Sequence, residues 1–131
     1  MGGYTKLNLK DDVEDQAPKF GLAGKIESRM ARVALELEQS GLSYLRLAPN
    51  YRLPFGHTHR TQEEVYVIIG GAARAKVEDE VVDLKPLDAL RVHKDTMRSF
   101  EAGPEGAEMI AVGAPHTGPG DAEMVNDWWS D

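Results

Sequence analysis

The segment His57-Thr58-His59-Arg60-Thr61-Gln62-Glu63-Glu64 brings two imidazoles and two carboxylates close together in the chain. In a strand, side chains two residues apart project to the same face, so His57 and His59 point one way. Two imidazoles on one face, followed after a turn by a carboxylate, form a facial nitrogen–nitrogen–oxygen set. Such a set suits several first-row divalent ions and leaves coordination positions open for water or substrate. The plainer alternative is a polar pocket that holds no metal. Both stay open at this level.

Other chemistries lack their residues. There is no cysteine, which removes disulfides, thiolate metal sites and cysteine nucleophiles and fits a reducing compartment. No phosphate-cradling loop, GxGxxG run or Ser-His-Asp arrangement stands out. His93 reads as a surface or rim histidine, and His116 lies in a loop without an evident partner. Acidic residues outnumber basic ones, 22 to 15, for a formal charge of −7. The arginines at 46, 52, 60, 74, 91 and 98 are dispersed rather than clustered, so neither nucleic acid nor an anionic membrane is an expected partner. The first residues carry no apolar stretch of a secretory signal, and no run approaches a membrane span. A cytoplasmic protein with a small-molecule ligand is the expectation.

The histidine segment must be positioned by strands. After Ser40-Gly41 the pattern turns to β: Ser43–Leu47, Val65–Ile69, Ala73–Val77, Val81–Leu84, Ala89–His93, Met97–Ala102 and Glu108–Gly113. Gly70-Gly71 and Gly103-Pro104-Glu105-Gly106 read as turns between them. Short strands turned every eight to twelve residues predict an antiparallel sandwich or barrel. Gly24–Gln39 reads as a helical turn followed by a strand. The opening twenty residues and the stretch from Gly118 to Asp131 read as irregular and polar. Trp128 and Trp129 carry too much apolar area to be left in water, so they are expected to dock on the barrel or on a neighbouring subunit.

On these residues the chain resembles the cupin superfamily. The first cupin motif has a His-x-His pair, a glutamate four or five residues later, and a glycine seven beyond that glutamate. His57, His59, Glu64 and Gly71 match it, and Glu64 is preferred to Glu63 because EVYVIIGG resembles the usual run into the turn. The glycine expected six residues before the first histidine falls on Tyr51. The second motif, Pro-x-Gly-x-x-His before an aromatic, resembles His93-Lys94-Asp95-Thr96-Met97-Arg98 ahead of Phe100. Arg98 thus stands where that motif has its metal-binding histidine.

The resemblance implies an all-β fold, a cupin-type double-stranded β-helix or jelly-roll barrel, with a short helical or irregular N-terminal segment. It implies an N-terminal arm over 1–24, a barrel domain over 25–113 and a C-terminal tail over 114–131, and a homodimer. It implies a metal set of His57, His59 and Glu64 for a divalent ion such as Zn, Mn, Fe or Ni. Arg98, Tyr66 and Glu63 are then the expected pocket residues, although Glu63 also reads simply as an exposed residue opening a strand. An always-protonated guanidinium cannot ligate a metal. At roughly 5 Å from a divalent ion it would be repelled by about 6–7 kcal/mol at an effective dielectric near 20. Arg98 therefore either stands aside from a three-ligand site or pairs with Glu64 in a metal-free mouth. Three functions fit: a metal-binding small-molecule cupin, a metal-free cupin binding an anion through Arg98, or a non-catalytic sensor or storage module.

Overall fold

The computed structural model describes residues 3–118 and 120–130. After a 3₁₀ turn at Ala17–Phe20 come β1 (Ile26–Met30), a single helical turn α1 (Arg32–Leu35), β2 (Gly41–Leu47) and β3 (Phe55–His59). Then follow β4 (Glu63–Val77), β5 (Glu80–Leu84), β6 (Ala89–Val92), β7 (Arg98–Ala114) and β8 (Ala122–Asn126). All strand pairings among the described residues are antiparallel. One run of neighbours is β1-β2-β7-β3-β8, and β4 pairs with β5, β6 and β7. The result is a curled all-β barrel. Among the described residues no helix is long and apolar enough to cross a membrane.

β4 and β7 are far longer than the sequence pattern predicts, because neither glycine cluster is a hairpin turn. β4 runs through Gly70-Gly71 with register shifts at Ile68/Gly70 and Gly71/Ala73 against β7. The sequence reading of two strands and a turn is corrected to one bulged strand. A bulge absorbs an extra residue and bends the strand without ending its pairing, which is how a barrel corner is made. Gly71 makes that corner possible: its φ is +66°, and a Cβ there would sit 2.1 Å from the Gly106 carbonyl oxygen. The Gly103–Gly106 stretch is likewise a bend inside β7.

Alternation decides which side chains fill the barrel. On β4, Tyr66, Ile68, Ala73 and Ala75 are buried, and on β7 Phe100, Ala102, Ala107, Met109 and Ala111 join them, with Leu47, Leu84 and Val92 from β2, β5 and β6. Burying each large aliphatic or aromatic side chain contributes about 1.5–3 kcal/mol. Small alanines alternating with large residues let the two walls approach.

Two further expectations are corrected, and the N-terminal arm takes the sheet-edge place left open for it. In 24–39 the order is reversed: the strand β1 precedes the helical turn α1, and Val33 is exposed. Of the Ile26/Met30/Val33/Leu37 set only Ile26 is buried, and Ile26–Met30 gains a full ladder on β2. The N-terminal arm lies along β1, with Val13 and Ala17 buried and the Asp15 carboxylate accepting the Ser28 and Ala17 amides. Finally, the stretch from 118 onward is not simply irregular: Ala122–Asn126 is β8, paired residue for residue with β3. Trp129 is buried beyond it, so the tryptophans dock on their own barrel.

Candidate functional site

β3 is held on one edge by β8 and at its centre by β7, where His57 pairs with Arg98. The His59 amide donates to the Lys94 carbonyl at 2.8 Å, tying the second histidine to the 93–97 loop. Parity puts His57 and His59 on the inward face, their ring centroids 5.0 Å apart and nearly perpendicular. Glu64, next to the start of β4, enters the same space. One nitrogen from each histidine and one Glu64 oxygen all lie within 4.8 Å of one another.

Glu64 is the hub. Its Oε1 lies 3.3 Å from His57 Nε2, 3.0 Å from His59 Nε2 and 3.7 Å from Arg98 Nη1, and accepts a short hydrogen bond from the Tyr66 hydroxyl. Its Oε2 accepts a bond from Gln62 Nε2 at 3.2 Å. Burial alone would push the Glu64 pKa up. The His57 ring nitrogen and the Tyr66 hydroxyl, joined by His59 whenever its ring carries a proton on Nε2, outweigh it and hold the carboxyl well below the usual range. Glu64 is an anion at any physiological pH. Burial pushes His57 down, against the pull of Glu64, and so favours the neutral ring that a metal requires. Tyr66 is raised well above the ordinary phenol value by burial and by Glu64, so it stays a donor.

His59 lies between two carboxylates. Its Nδ1 is 3.0 Å from Asp121 Oδ2, and its Nε2 faces Glu64 Oε1. With the proton on Nδ1, donated to Asp121, Nε2 presents a lone pair. That Nε2 is buried and, although close to Glu64, makes no hydrogen bond. A lone pair and a carboxylate oxygen at 3.0 Å repel unless a cation, proton or metal, comes between them. This orphaned nitrogen, in a set of two imidazoles and a carboxylate, fits a divalent ion.

Arg98 sits against the set but does not open onto it. Its side chain is 0% exposed, Nη2 donates to the His93 carbonyl at 3.1 Å and Nη1 to the His57 carbonyl at 3.5 Å. Its charge is balanced by Glu64, which makes it part of the wall.

Of the pocket residues expected from sequence, Tyr66 and Arg98 reach Glu64. Glu63 does not. It is exposed on the opposite face of β4, as alternation with Glu64 requires, and its assignment to the pocket is corrected. His93 is exposed and contributes only its carbonyl to Arg98. Two residues escaped the sequence reading. Gln62 shares the parity of Glu64 and Tyr66, a signal that was available, and it occupies the space above Gly113 where a Cβ would lie 2.4 Å from its Nε2. Asp121, far along the chain from His59, gave no local signal. A separate open cavity of about 670 Å³, lined by Ala72, Arg74, Leu84, Lys85 and Glu101 among others, contains none of the trio.

An antiparallel double-stranded β-helix with a histidine pair on one strand and a glutamate on the next defines the class: the chain has the cupin fold. No family model matches it, and no curated protein matches it in sequence. Among solved structures it is similar to a cupin protein from Bacteroides fragilis, at 21% identity over 89% of this chain and 88% of that one, with a TM-score of 0.72. It is also similar to a cupin-superfamily sugar phosphate isomerase from Silicibacter pomeroyi, at 17% identity over 93% and 92% of the two chains, with a TM-score of 0.70. A third is a Streptomyces nucleoside dehydratase, at 14% identity over 93% and 92%, with a TM-score of 0.69.

Proposed function

We propose that this protein is a small-molecule-binding cupin in which His57, His59 and Glu64 hold a divalent metal ion at the barrel mouth. The observation that carries this reading is the buried His59 Nε2, which lacks a hydrogen bond and faces Glu64 and His57 at ligand spacing. When bound, the metal would act as a Lewis acid on an oxygen-bearing ligand. The chain's own groups do the rest. Tyr66 and Gln62 orient the Glu64 carboxylate, Asp121 orients His59, and buried Arg98 pairs with Glu64 from the wall. The most exposed of the trio is His57, at 19%, so a ligand would approach from its side. A sugar phosphate isomerase and a nucleoside dehydratase on the same fold favour a hydroxyl-rich small molecule as the ligand class.

The test is elemental analysis of purified protein after reconstitution with Zn, Mn, Fe and Ni in turn. Near-stoichiometric metal, lost in the His57→Ala/His59→Ala double variant, supports the reading. Absence of metal under every condition removes it.

One observation favours a second, metal-free reading: the Arg98 guanidinium lies 3.7 Å from the Glu64 carboxylate, the distance of an ion pair. Here Arg98 would offset the Glu64 charge and so let an anionic ligand approach the mouth without touching the enclosed guanidinium. His57 would serve as acid or base at the mouth. Saturable binding of a small organic anion by metal-free protein, abolished in His57→Ala, would select this reading. A sensor or storage module would bind the same ligand without turning it over.

A further inference from the structure

We propose that Asp121 is a positioning residue for His59, delivered to the site by the C-terminal strand β8. The proposal rests on the divalent-site reading above. The Asp121 side chain is 7% exposed, and its donors come from the segment joining the histidine pair to Glu64, apart from the Thr117 hydroxyl at 3.4 Å. Its Oδ2 faces His59 Nδ1 at 3.0 Å and accepts the Gln62 amide at 3.3 Å. Its Oδ1 accepts the Thr61 hydroxyl at 2.5 Å and the Thr61 amide at 3.0 Å. The Asp121 carbonyl accepts the Arg60 amide at 2.8 Å. One residue therefore clasps four consecutive positions, 59 to 62, and sets how His59 stands relative to Glu64.

The segment that carries Asp121 is itself pinned twice. β8 pairs with β3 from Phe55↔Asn126 to His59↔Ala122, directly behind the two histidines. Beyond it, Trp128 packs on Gly56, where a Cβ would meet the indole at 2.7 Å, and Trp129 is buried with the Arg52 guanidinium 4.4 Å over its ring. The two tryptophans thus anchor the strand whose first neighbour is Asp121. The consequence is chemical. A carboxylate on Nδ1 fixes the ring tautomer and leaves the Nε2 lone pair directed at the ligand cluster, and it raises the basicity of that nitrogen.

The experiment uses the full chain as wild type, Asp121→Asn and Thr61→Val. The first readout is the ring tautomer of His59 by ¹⁵N NMR in metal-free protein, at a pH where the ring is neutral. The second is Co²⁺ affinity followed by its visible spectrum. Wild type is expected to carry the proton on Nδ1. Asp121→Asn is expected to shift the ring toward the Nε2–H form and to weaken Co²⁺ binding about 10- to 100-fold. Thr61→Val, which removes one bond to Asp121 without touching His59, is expected to keep both the wild-type tautomer and the wild-type affinity. An unchanged tautomer in Asp121→Asn overturns the proposal. So does a wild-type ring protonated on Nε2, which needs no variant to fold. Failure of the wild type to take up cobalt removes the metal reading alone, and the tautomer measurement still decides the role of Asp121.

Discussion

Glu64 and Arg98 decide the character of the mouth, and each can be tested alone. Glu64→Gln keeps the shape but removes the charge facing a fully buried guanidinium. Leaving a buried ion without its partner typically costs about 3–5 kcal/mol, so urea unfolding should show a loss of that order together with loss of divalent binding. The pH dependence has a definite sign. Glu64 is depressed in the folded state, so its contribution is present in full above the unfolded value near 4.3 and is lost as pH falls toward the lower folded value. The stability gap between wild type and Glu64→Gln should therefore shrink below about pH 4. His57 acts differently. Its folded pKa is lowered, so below about pH 6.5 the unfolded chain takes up a proton that the folded chain resists. Stability should begin to fall there, and His57→Asn should flatten that part of the curve. For Arg98, replacement by His would supply the third imidazole of the cupin pattern and remove the repelling charge. Divalent affinity measured by calorimetry should rise at least about tenfold for the roughly 1.4 kcal/mol gained. No change would mean that position 98 does not face the trio.

At the scale of elements, the corners and the C-terminal strand carry the most testable content. Gly71→Ala would drive a Cβ into the Gly106 backbone at a positive φ, so neither side chain rotation nor a small shift can relieve it. It should cost more than the 1–3 kcal/mol typical of a strained backbone position, read as a fall in thermal midpoint. Gly70→Ala meets only the end of the Glu108 side chain and should cost less, although Glu108 accepts the Tyr44 hydroxyl at 2.5 Å and is not wholly free to move. The strand β8 buries neither face, since all five residues are exposed, and it depends on β3 for pairing and on the tryptophans for anchorage. Trp129→Ala removes a buried indole stacked under Arg52 and should cost about 3–5 kcal/mol. Because β8 backs the histidine strand, that variant should also weaken divalent binding.

At the scale of the molecule, the outer surface keeps Met124, Val125, Val81, Ile69 and Val112 exposed, and β8 has pairing on one side only among the described residues. We propose the homodimer that the resemblance implies, with a second copy of the chain covering the open edge of β8. Light scattering of the purified protein should give twice the chain mass, and a monomer at high micromolar concentration would refute it. The formal net charge of −7 leads to the further expectation that the protein does not bind nucleic acid, which a mobility-shift assay with mixed DNA and RNA would check.

Much of this was legible in the residues themselves, for reasons of periodicity. Strand parity put His57 with His59 and Glu64 with Tyr66, because side chains alternate by covalent geometry before any packing occurs. The run of β-branched residues and the spacing of glycines marked an all-β barrel, and the positions of His57, His59, Glu64 and Gly71 resembled one motif closely enough to place the mouth. Other features depend on contacts between distant segments, which no local pattern encodes. Whether Gly70-Gly71 ends a strand or bends one depends on Gly106 lying against it. Whether residues 26–30 are helix or strand depends on β2 offering a ladder. Asp121 joined His59, and the tryptophans found their own barrel, only because β8 closed beside β3. The chain's local chemistry chose the two imidazoles and the carboxylate of the mouth; its closure decided which carboxylate, guanidinium and amide would surround them.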